Sequence, residues 1–337
     1  MNILITGGSG YLGSLLIKKF SENSHKVFNL DILKTNNLNV QSLYVDLLNF
    51  ENLKEVFDTY EFDIIIHNAA KVPISKSKKN YFENNVLGTK NLLYFFKKKK
   101  IKKFVYVSSS AVYGVPNKVP ISENDIRNPV EKYGLSKKIA EDECMKLFNH
   151  KNITILRPRT ILGEDRLGIF SILFTWISMN SKVPVLNNGN NLYQFVDVRD
   201  FIDATYLSAF SNYSGSLNIG SDNFTSIRTL LETLIERKNS KSIIKNIDNN
   251  YFIKIGKVLS KLSIIPLKEY HFAAYGKDIY FDTSLAKKVL NWNSNFLNID
   301  SLDNSYDNFI ENRFQNDTSP HKKKINNFIL KNISFLI

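Results

Sequence analysis

The sequence predicts an α/β fold in which a doubly wound parallel sheet carries helices on both faces. Short apolar runs alternate with segments of helical spacing over about 160 residues. Some runs, such as residues 64–67, are almost wholly apolar, which is typical of strands buried on both faces. Strands that alternate with helices need crossover connections and therefore form a parallel sheet. Ligands of such a sheet bind at the carboxyl ends of its strands.

The predicted elements follow one another in a regular order. The strands lie at residues 2–6, 26–30, 42–45, 64–67, 104–108 and 153–157, and the helices lie at 11–20, 52–60, 79–99 and 130–149. The second strand closes on Asp31 and the third on Asp46. A turn at Gly163 ends this succession, so residues 1–163 are predicted to form the sheet domain.

After Gly163 the alternation loosens. Segments 164–194 and 220–300 are expected to form a smaller C-terminal lobe over the strand ends, while residues 195–219 return to the main sheet. A substrate cleft between the two parts follows. The tail, residues 301–337, ends in alternating basic and apolar positions. They are compatible with an amphipathic helix at a membrane surface, or with a segment packed on its own domain or on a partner subunit.

Composition and charge exclude several classes of protein. The 337 residues are 43% hydrophobic and 23% charged, as in ordinary globular proteins. The net charge of +13 comes from scattered lysines. The run at 97–100 lacks interleaved aromatic residues, which favours a solvated helix end over a nucleic-acid surface. The sequence has neither a signal peptide nor an apolar stretch of about 18 residues, so we expect a cytoplasmic protein without a transmembrane segment.

The single cysteine, Cys144, cannot form an internal disulfide. It lies in a helical pattern beside Met145 and is predicted to be a partly buried thiol rather than a nucleophile. No metal site is predicted.

Three glycines predict a dinucleotide site. Gly7, Gly10 and Gly13 lie between the first strand and the first helix, where backbone N–H groups and a helix N-terminus can receive a pyrophosphate, as in a Rossmann fold. Asp31, eighteen residues beyond Gly13, can accept both ribose hydroxyls of NAD and would repel the 2′-phosphate of NADP. Asp46 is followed by Leu47. The Asp46 side chain is predicted either to contact the adenine amino group or to serve as a helix N-cap, and the sequence favours the two roles equally.

A catalytic group is predicted on the helix after the fifth strand. Tyr133 and Lys137 form Y-x-x-x-K, so both side chains share one face of a helix. A free tyrosine has a pKa near ~10, and a neighbouring ammonium can lower this pKa toward neutrality. Ser109 lies in a serine run at the end of the fifth strand, where a hydroxyl can hydrogen-bond a substrate oxygen while Tyr133 exchanges its proton.

With these motifs the chain resembles the NAD-dependent epimerase/dehydratase family, the extended short-chain dehydrogenases/reductases that include UDP-glucose 4-epimerase. The resemblance covers most of the chain. Its segments are GGSGYLG at 7–13, HNAA at 67–70, NVLGTKNLL at 85–93, SSSAVYG at 108–114, YGLSK at 133–137, LRPRTILG at 156–163, QFVDVRD at 194–200 and FDTSLAKKVLNW at 281–292.

The resemblance implies roles for individual residues. Ser109, Tyr133 and Lys137 would be catalytic, with Ser110 as the alternative hydroxyl at the substrate. Asn85 would orient the active-site helix and its lysine. Further cofactor contacts would come from Tyr11, Leu12, Leu47, Ala69 and Ala70. A homodimer through helices near 83–99 and 131–149 is also implied.

The sequence departs from the family at the substrate. Where the family's dehydratases have an acid pair, this chain has Ser110 and Ala111, so dehydration is not expected. Tyr193 stands where epimerases have a diphosphate-binding arginine, and Thr160 where a substrate-binding asparagine is common. The candidate replacements for that arginine are Arg159, Arg166 and Arg199.

We therefore expect an NAD-dependent epimerase that oxidises a ring hydroxyl of a nucleotide-diphosphate sugar to a ketone and returns the hydride. One alternative is a dehydrogenase or reductase of a sterol-like or other hydroxyl compound. A second alternative is a non-catalytic NAD-sensing protein.

Overall fold

The computed structural model describes residues 1–33, 40–72, 81–163, 170–248 and 274–311. The strands are β1 (Asn2–Thr6), β2 (Lys26–Asp31), β3 (Gln41–Tyr44), β4 (Ile64–His67), β5 (Lys103–Val107), β6 (Ile153–Pro158), β7 (Thr160–Leu162), β8 (Lys182–Val185), β9 (Leu192–Tyr193), β10 (Phe195–Asp197), β11 (Gly215–Ile219), β12 (Thr225–Ser226) and β13 (Ile243–Asn246). The helices are α1 (Tyr11–Glu22), α2 (Phe50–Thr59), α3 (Tyr81–Lys98), α4 (Lys132–Met145), α5 (Phe170–Ser178), α6 (Val198–Phe210), α7 (Ile227–Arg237), α8 (Ser284–Leu290) and α9 (Asn298–Glu311).

Seven strands form one parallel sheet in the order β11-β6-β5-β4-β1-β2-β3. The strand order reverses between β1 and β4, which creates the crevice where ligands of doubly wound sheets bind. The predicted α/β fold with a doubly wound parallel sheet is confirmed.

Apolar residues cover both faces of the sheet. Ile3 and Ile5 of β1 lie in one buried cluster with Phe20 of α1 and Phe201 of α6. Leu4, between the two isoleucines, belongs to a second cluster on the opposite face. Successive side chains of a strand point to opposite faces, so a strand covered on both sides reads as a continuous apolar run.

A third buried cluster joins elements that follow β6. It contains residues of α5, β8, α7 and α9, and Phe195 of β10. The predicted return of residues 217–219 to the main sheet is confirmed, because β11 pairs with β6. The expectation that residues near 195 also join this sheet is wrong, since β10 pairs with β7 outside it. The three residues of β7 are too few to give a periodic signal.

The division of the chain at residue 163 into two domains stays a prediction. The tail segment 322–337 lies outside the described residues. None of the helices in the described ranges combines the length and the apolar character that crossing a bilayer requires.

Candidate active site

The glycine turn between β1 and α1 leaves no room for side chains. Gly7 has a φ of +71°, and a Cβ on it would lie 2.7 Å from Cα of Ala69. A Cβ on Gly13 would collide with the carbonyl oxygen of Gly7. Gly10 begins α1 as its N-cap without a side-chain hydrogen bond. This bare backbone at a helix N-terminus fits the pyrophosphate of a dinucleotide.

Asp31 ends β2 beside this turn, as the sequence predicts. Its carboxylate accepts hydrogen bonds from the backbone N–H groups of Ser9 and Leu33, both at 3.0 Å. The first bond ties the carboxylate to the glycine turn itself. An acidic group is thus held at the place where a ribose would approach.

Asp46 lies beyond the end of β3, which stops at Tyr44. Its carboxylate is exposed and accepts a hydrogen bond from the Leu48 N–H at 2.9 Å. The N-cap of α2 is Asn49, whose side chain accepts from the Asn52 N–H at 3.1 Å. The N-cap alternative for Asp46 is therefore wrong, because Asp46 closes a local turn and Asn49 directly precedes the helix.

The other predicted cofactor residues follow the carboxyl ends of β1, β3 and β4. The Tyr11 hydroxyl lies close to Gly163, and Leu12 packs against the core cluster of α1. Leu47 is buried against Gly88 of α3. Ala69 contacts the glycine turn, as described above, and Ala70 follows it as a partly buried residue.

Tyr133 and Lys137 lie one turn apart on α4. Tyr133 is partly buried, whereas the Lys137 side chain is 2% exposed and donates to the Val107 carbonyl at 2.7 Å. A Cβ on Gly134 would collide with the Ala111 carbonyl oxygen, so the first turn of α4 packs directly on the turn that follows β5. This packing brings the Y-x-x-x-K pair to the carboxyl end of β5.

The serine run forms that turn. Ser109 is the N-cap of a short 3-10 helix, Ser110–Val112, and its hydroxyl accepts from the Ala111 N–H at 3.2 Å. Ser109 and Ser110 are both partly buried. Either hydroxyl is therefore available at the strand end, and both remain candidates.

Burial controls the charge states around Lys137. Desolvation lowers the pKa of its ammonium to about 7. The negative charge of Glu141, one turn further along α4, acts in the opposite direction and raises this pKa. His67 lies between the hydroxyls of Thr6 (2.8 Å) and Thr89 (2.9 Å). Its burial, helped by the charge of Lys137, lowers its pKa to about 3, so this imidazole is neutral at ordinary pH.

Asn85 connects α3 to α4. Its carboxamide accepts from the Lys71 N–H at 2.9 Å and donates to the Lys71 carbonyl at 3.1 Å. It also donates to the Ser136 hydroxyl at 3.1 Å. Because Ser136 directly precedes Lys137, these bonds link the segment after β4 to the turn of α4 that carries the lysine.

Sequence reasoning missed a buried polar network beneath the serine turn. Glu141 is fully buried and accepts hydrogen bonds from Ser108, Arg127 and Arg157. Arg157 also donates to the Tyr113 hydroxyl at 2.8 Å. The available signal was the position of Glu141, four residues after Lys137 on the same helix face.

The predicted substrate residues are brought together in part. The Arg159 guanidinium lies 4.8 Å from the centre of the Tyr193 ring, and the Thr160 and Tyr193 hydroxyls are 3.4 Å apart. Arg199 instead pairs with Asp197, the last residue of β10 and the N-cap of α6, and stacks on Phe296. Arg166 lies outside the described residues.

The comparison with protein families decides the family. The model of the NAD dependent epimerase/dehydratase family matches residues 3–220, more than half of the chain. The chain belongs to this family. The predicted resemblance is confirmed, and so is the expectation of an NAD-dependent enzyme at the level of the family.

Individual proteins are similar to most of the chain. The chain is 35% identical over 316 residues to the uncharacterized protein y4nG of Sinorhizobium fredii, which covers 92% of this chain and 79% of the relative. It is 29% identical over 266 residues to the UDP-glucose 4-epimerase of Halalkalibacterium halodurans. This match covers 69% of this chain and 79% of the relative. The crystal structure of UDP-glucose 4-epimerase from Thermotoga maritima with UDP-glucose has the same fold, with a TM-score of 0.73, 23% identity and coverage of 93% of this chain and 100% of that one.

Proposed function

We propose that this protein is an NAD-dependent epimerase acting on a nucleotide-diphosphate sugar. The observation that carries the proposal is the packing of α4 on the serine turn, which assembles Ser109, Tyr133 and Lys137 at the strand ends. The glycine turn lies at the carboxyl end of β1, on the same edge of the sheet. The relatives named as UDP-glucose 4-epimerases support this choice.

The proposed chemistry is a reversible oxidation of one carbinol. Tyr133 as phenolate removes the hydroxyl proton while the carbon–hydrogen bond breaks and a ketone forms. The glycine turn and Asp31 would hold NAD, which would supply the acceptor for the hydride and the source of its return. Ser109 donates a hydrogen bond to the ketone oxygen. When the hydride returns to the opposite face, Tyr133 gives its proton back and the epimer leaves.

Lys137 has a positioning and electrostatic role in this proposal. Its ammonium lies one helical turn from Tyr133, where a positive charge favours the phenolate. Glu141 in turn favours the charged form of Lys137. The family-typical acid pair is absent at Ser110 and Ala111, so elimination of water is not part of the proposed reaction.

The decisive experiment incubates the purified protein with a panel of nucleotide sugars and follows both epimerisation by NMR and the absorbance of reduced nicotinamide. Epimerisation without accumulating reduced cofactor supports the proposal. Stoichiometric reduction with any hydroxyl compound would favour a dehydrogenase instead. Tyr133→Phe is expected to abolish turnover, whereas Tyr206→Phe, which changes a phenol packed against Phe20 at the other end of the sheet, should retain it.

The NAD-sensing alternative makes a different prediction. A protein without catalytic activity would bind NAD and turn over no member of the panel, and Tyr133→Phe would leave its binding properties intact. The NAD-sensing alternative would replace the enzymatic proposal on three results together. The protein would retain NAD, it would turn over no member of the panel, and Tyr133→Phe would have no effect.

We further propose a homodimer through α3 and α4. The two helices pack on each other within one chain and still expose the apolar side chains of Phe82, Leu87 and Leu135. Sedimentation of the wild type and of Leu135→Glu tests this, with a monomeric variant as the expected result. A cytoplasmic location also stays a prediction.

A further inference from the structure

Arg159 is a buried cation that pairs with no carboxylate among the residues that the structure describes. Its side chain is 2% exposed. Every other arginine in the described ranges forms an ion pair with a carboxylate, namely Arg127, Arg157, Arg199, Arg228 and Arg237. A guanidinium stays charged under all ordinary conditions, so its burial without a counter-ion has to be offset in another way.

Its neighbours offset this cost in part. Nε donates to the Gln194 carbonyl at 3.2 Å, and the rings of Tyr193 and Phe281 lie 4.8 and 5.4 Å from the guanidinium carbon. Nη2 is buried and has no acceptor among the described residues. The side chain of Gln194 offers no help, because its amide oxygen and nitrogen are both engaged with backbone groups.

The position of Arg159 places this donor at the substrate side of the sheet. The residue directly follows β6, and β6 neighbours β5, which leads into the Ser109 turn. The Phe281 ring is close to a residue at each of these two strand ends. Its centre lies 5.6 Å from that of the Tyr113 ring in the Ser109 turn, and the ring also contacts the Arg159 guanidinium. A ligand that presents a carbinol to Tyr133 can therefore extend a second group toward Arg159.

We propose that Arg159 binds a phosphate oxygen of the substrate. A planar guanidinium with free N–H donors suits a phosphate, which presents several acceptor oxygens and the missing negative charge. Tyr193 is the partly exposed member of the two rings. The proposal requires its side chain to move aside so that the anion can reach the guanidinium. The inference rests on the proposed function in one respect: the phosphate belongs to the nucleoside diphosphate of the sugar substrate.

The test measures binding of UDP and of inorganic pyrophosphate to the full-length protein loaded with NAD, by calorimetry. Arg159→Gln keeps a planar N–H donor for the Gln194 carbonyl and removes the charge. We expect this variant to weaken the binding of both ligands at least about tenfold while it retains NAD. Arg237→Gln removes an equal charge from an exposed ion pair on α7 and should bind both ligands like the wild type.

Arg159→Lys provides a second variant if the glutamine variant loses NAD. It keeps the charge but not the planar donor set, so a smaller weakening of UDP binding is expected. Wild-type affinity in either folded variant would overturn the inference and leave the proposed function untouched. Arg159-dependent pyrophosphate binding by a protein that epimerises no nucleotide sugar would support the anion site and overturn the proposed function. A wild type that binds neither ligand would overturn the inference.

Discussion

Glu141 and Arg157 form a buried two-pronged ion pair, with Nη2 donating to Oε2 at 2.8 Å and Nε donating to Oε1 at 3.0 Å. Both side chains are at most 1% exposed. The pair fixes α4 to β6 directly beneath the serine turn, and it links the helix that carries Lys137 to the strand that leads to Arg159.

We expect Glu141→Gln to lower the free energy of unfolding by about 3 kcal/mol, because it leaves a buried guanidinium without its counter-ion. Equilibrium unfolding in urea measures this loss. Glu143→Gln is the matched control, since Glu143 pairs with Lys90 and Lys146 at the surface and should contribute less than about 1 kcal/mol. Equal losses in the two variants would contradict a special role of the buried pair.

Gly13→Ala is expected to weaken NAD binding at least about tenfold, because the new methyl group meets the Gly7 carbonyl and forces the turn open. The NAD content of the purified variant and a titration with NAD measure the effect. Ser14→Ala changes the next, exposed residue and serves as the control. Undiminished NAD retention in Gly13→Ala would show that the cofactor does not depend on this turn.

The two serines that begin the turn can be separated by a matched pair of variants. Ser109→Ala should lower kcat about 100-fold, because the hydroxyl that steadies the ketone oxygen is lost, whereas Ser110→Ala should stay within about threefold of the wild type. Steady-state kinetics on the substrate found with the nucleotide-sugar panel provide the numbers. The opposite ranking would transfer the role to Ser110.

His67 predicts a specific pH dependence of stability. Its pKa in the folded protein is about 3, below the ordinary value of 6.5, so between these values the unfolded chain binds the additional proton. Stability therefore falls as the pH falls through this window, by at most about 1.4 kcal/mol per pH unit. Unfolding free energies of His67→Gln should change less steeply between pH 6.5 and 5 than those of the wild type.

His150 is exposed and provides the comparison for this experiment. His150→Gln should reproduce the wild-type slope. A slope that is the same in His67→Gln and in the wild type would mean that another group governs the acid sensitivity.

The sequence predicts the sheet well where a strong local pattern exists. The run at Ile64–His67, the glycine turn and the Y-x-x-x-K pair each combine residue type with spacing, and the structure places them as expected. Cys144 is buried more deeply than predicted, and burial raises its pKa well above the ordinary value, which agrees with an inert thiol.

Contacts between distant parts of the chain explain what was missed. Glu141 and Arg157 carry no local sign of their partnership, which depends on how α4 docks on β6. The strands β10 and β7 have three residues each, and their paired residues, such as Phe195 and Thr160, are 35 positions apart in the sequence. Such a pairing leaves no local pattern. Asn49 is the N-cap of α2, although Asp46, three residues earlier, also has a side chain that can cap a helix. Residue type alone therefore does not choose between the two positions.

The pairing of β11 with β6 limits how this chain can be shortened. A fragment that stops at residue 163 would leave the hydrogen-bonding edge of β6 open, and open edges of apolar strands invite aggregation. In the same fragment the amine of Lys103 would lose its hydrogen bonds to the carbonyl oxygens of Ser211 and Tyr213. Expression of residues 1–163 alone therefore calls for the β11 strand, Gly215–Ile219, to be attached after Gly163.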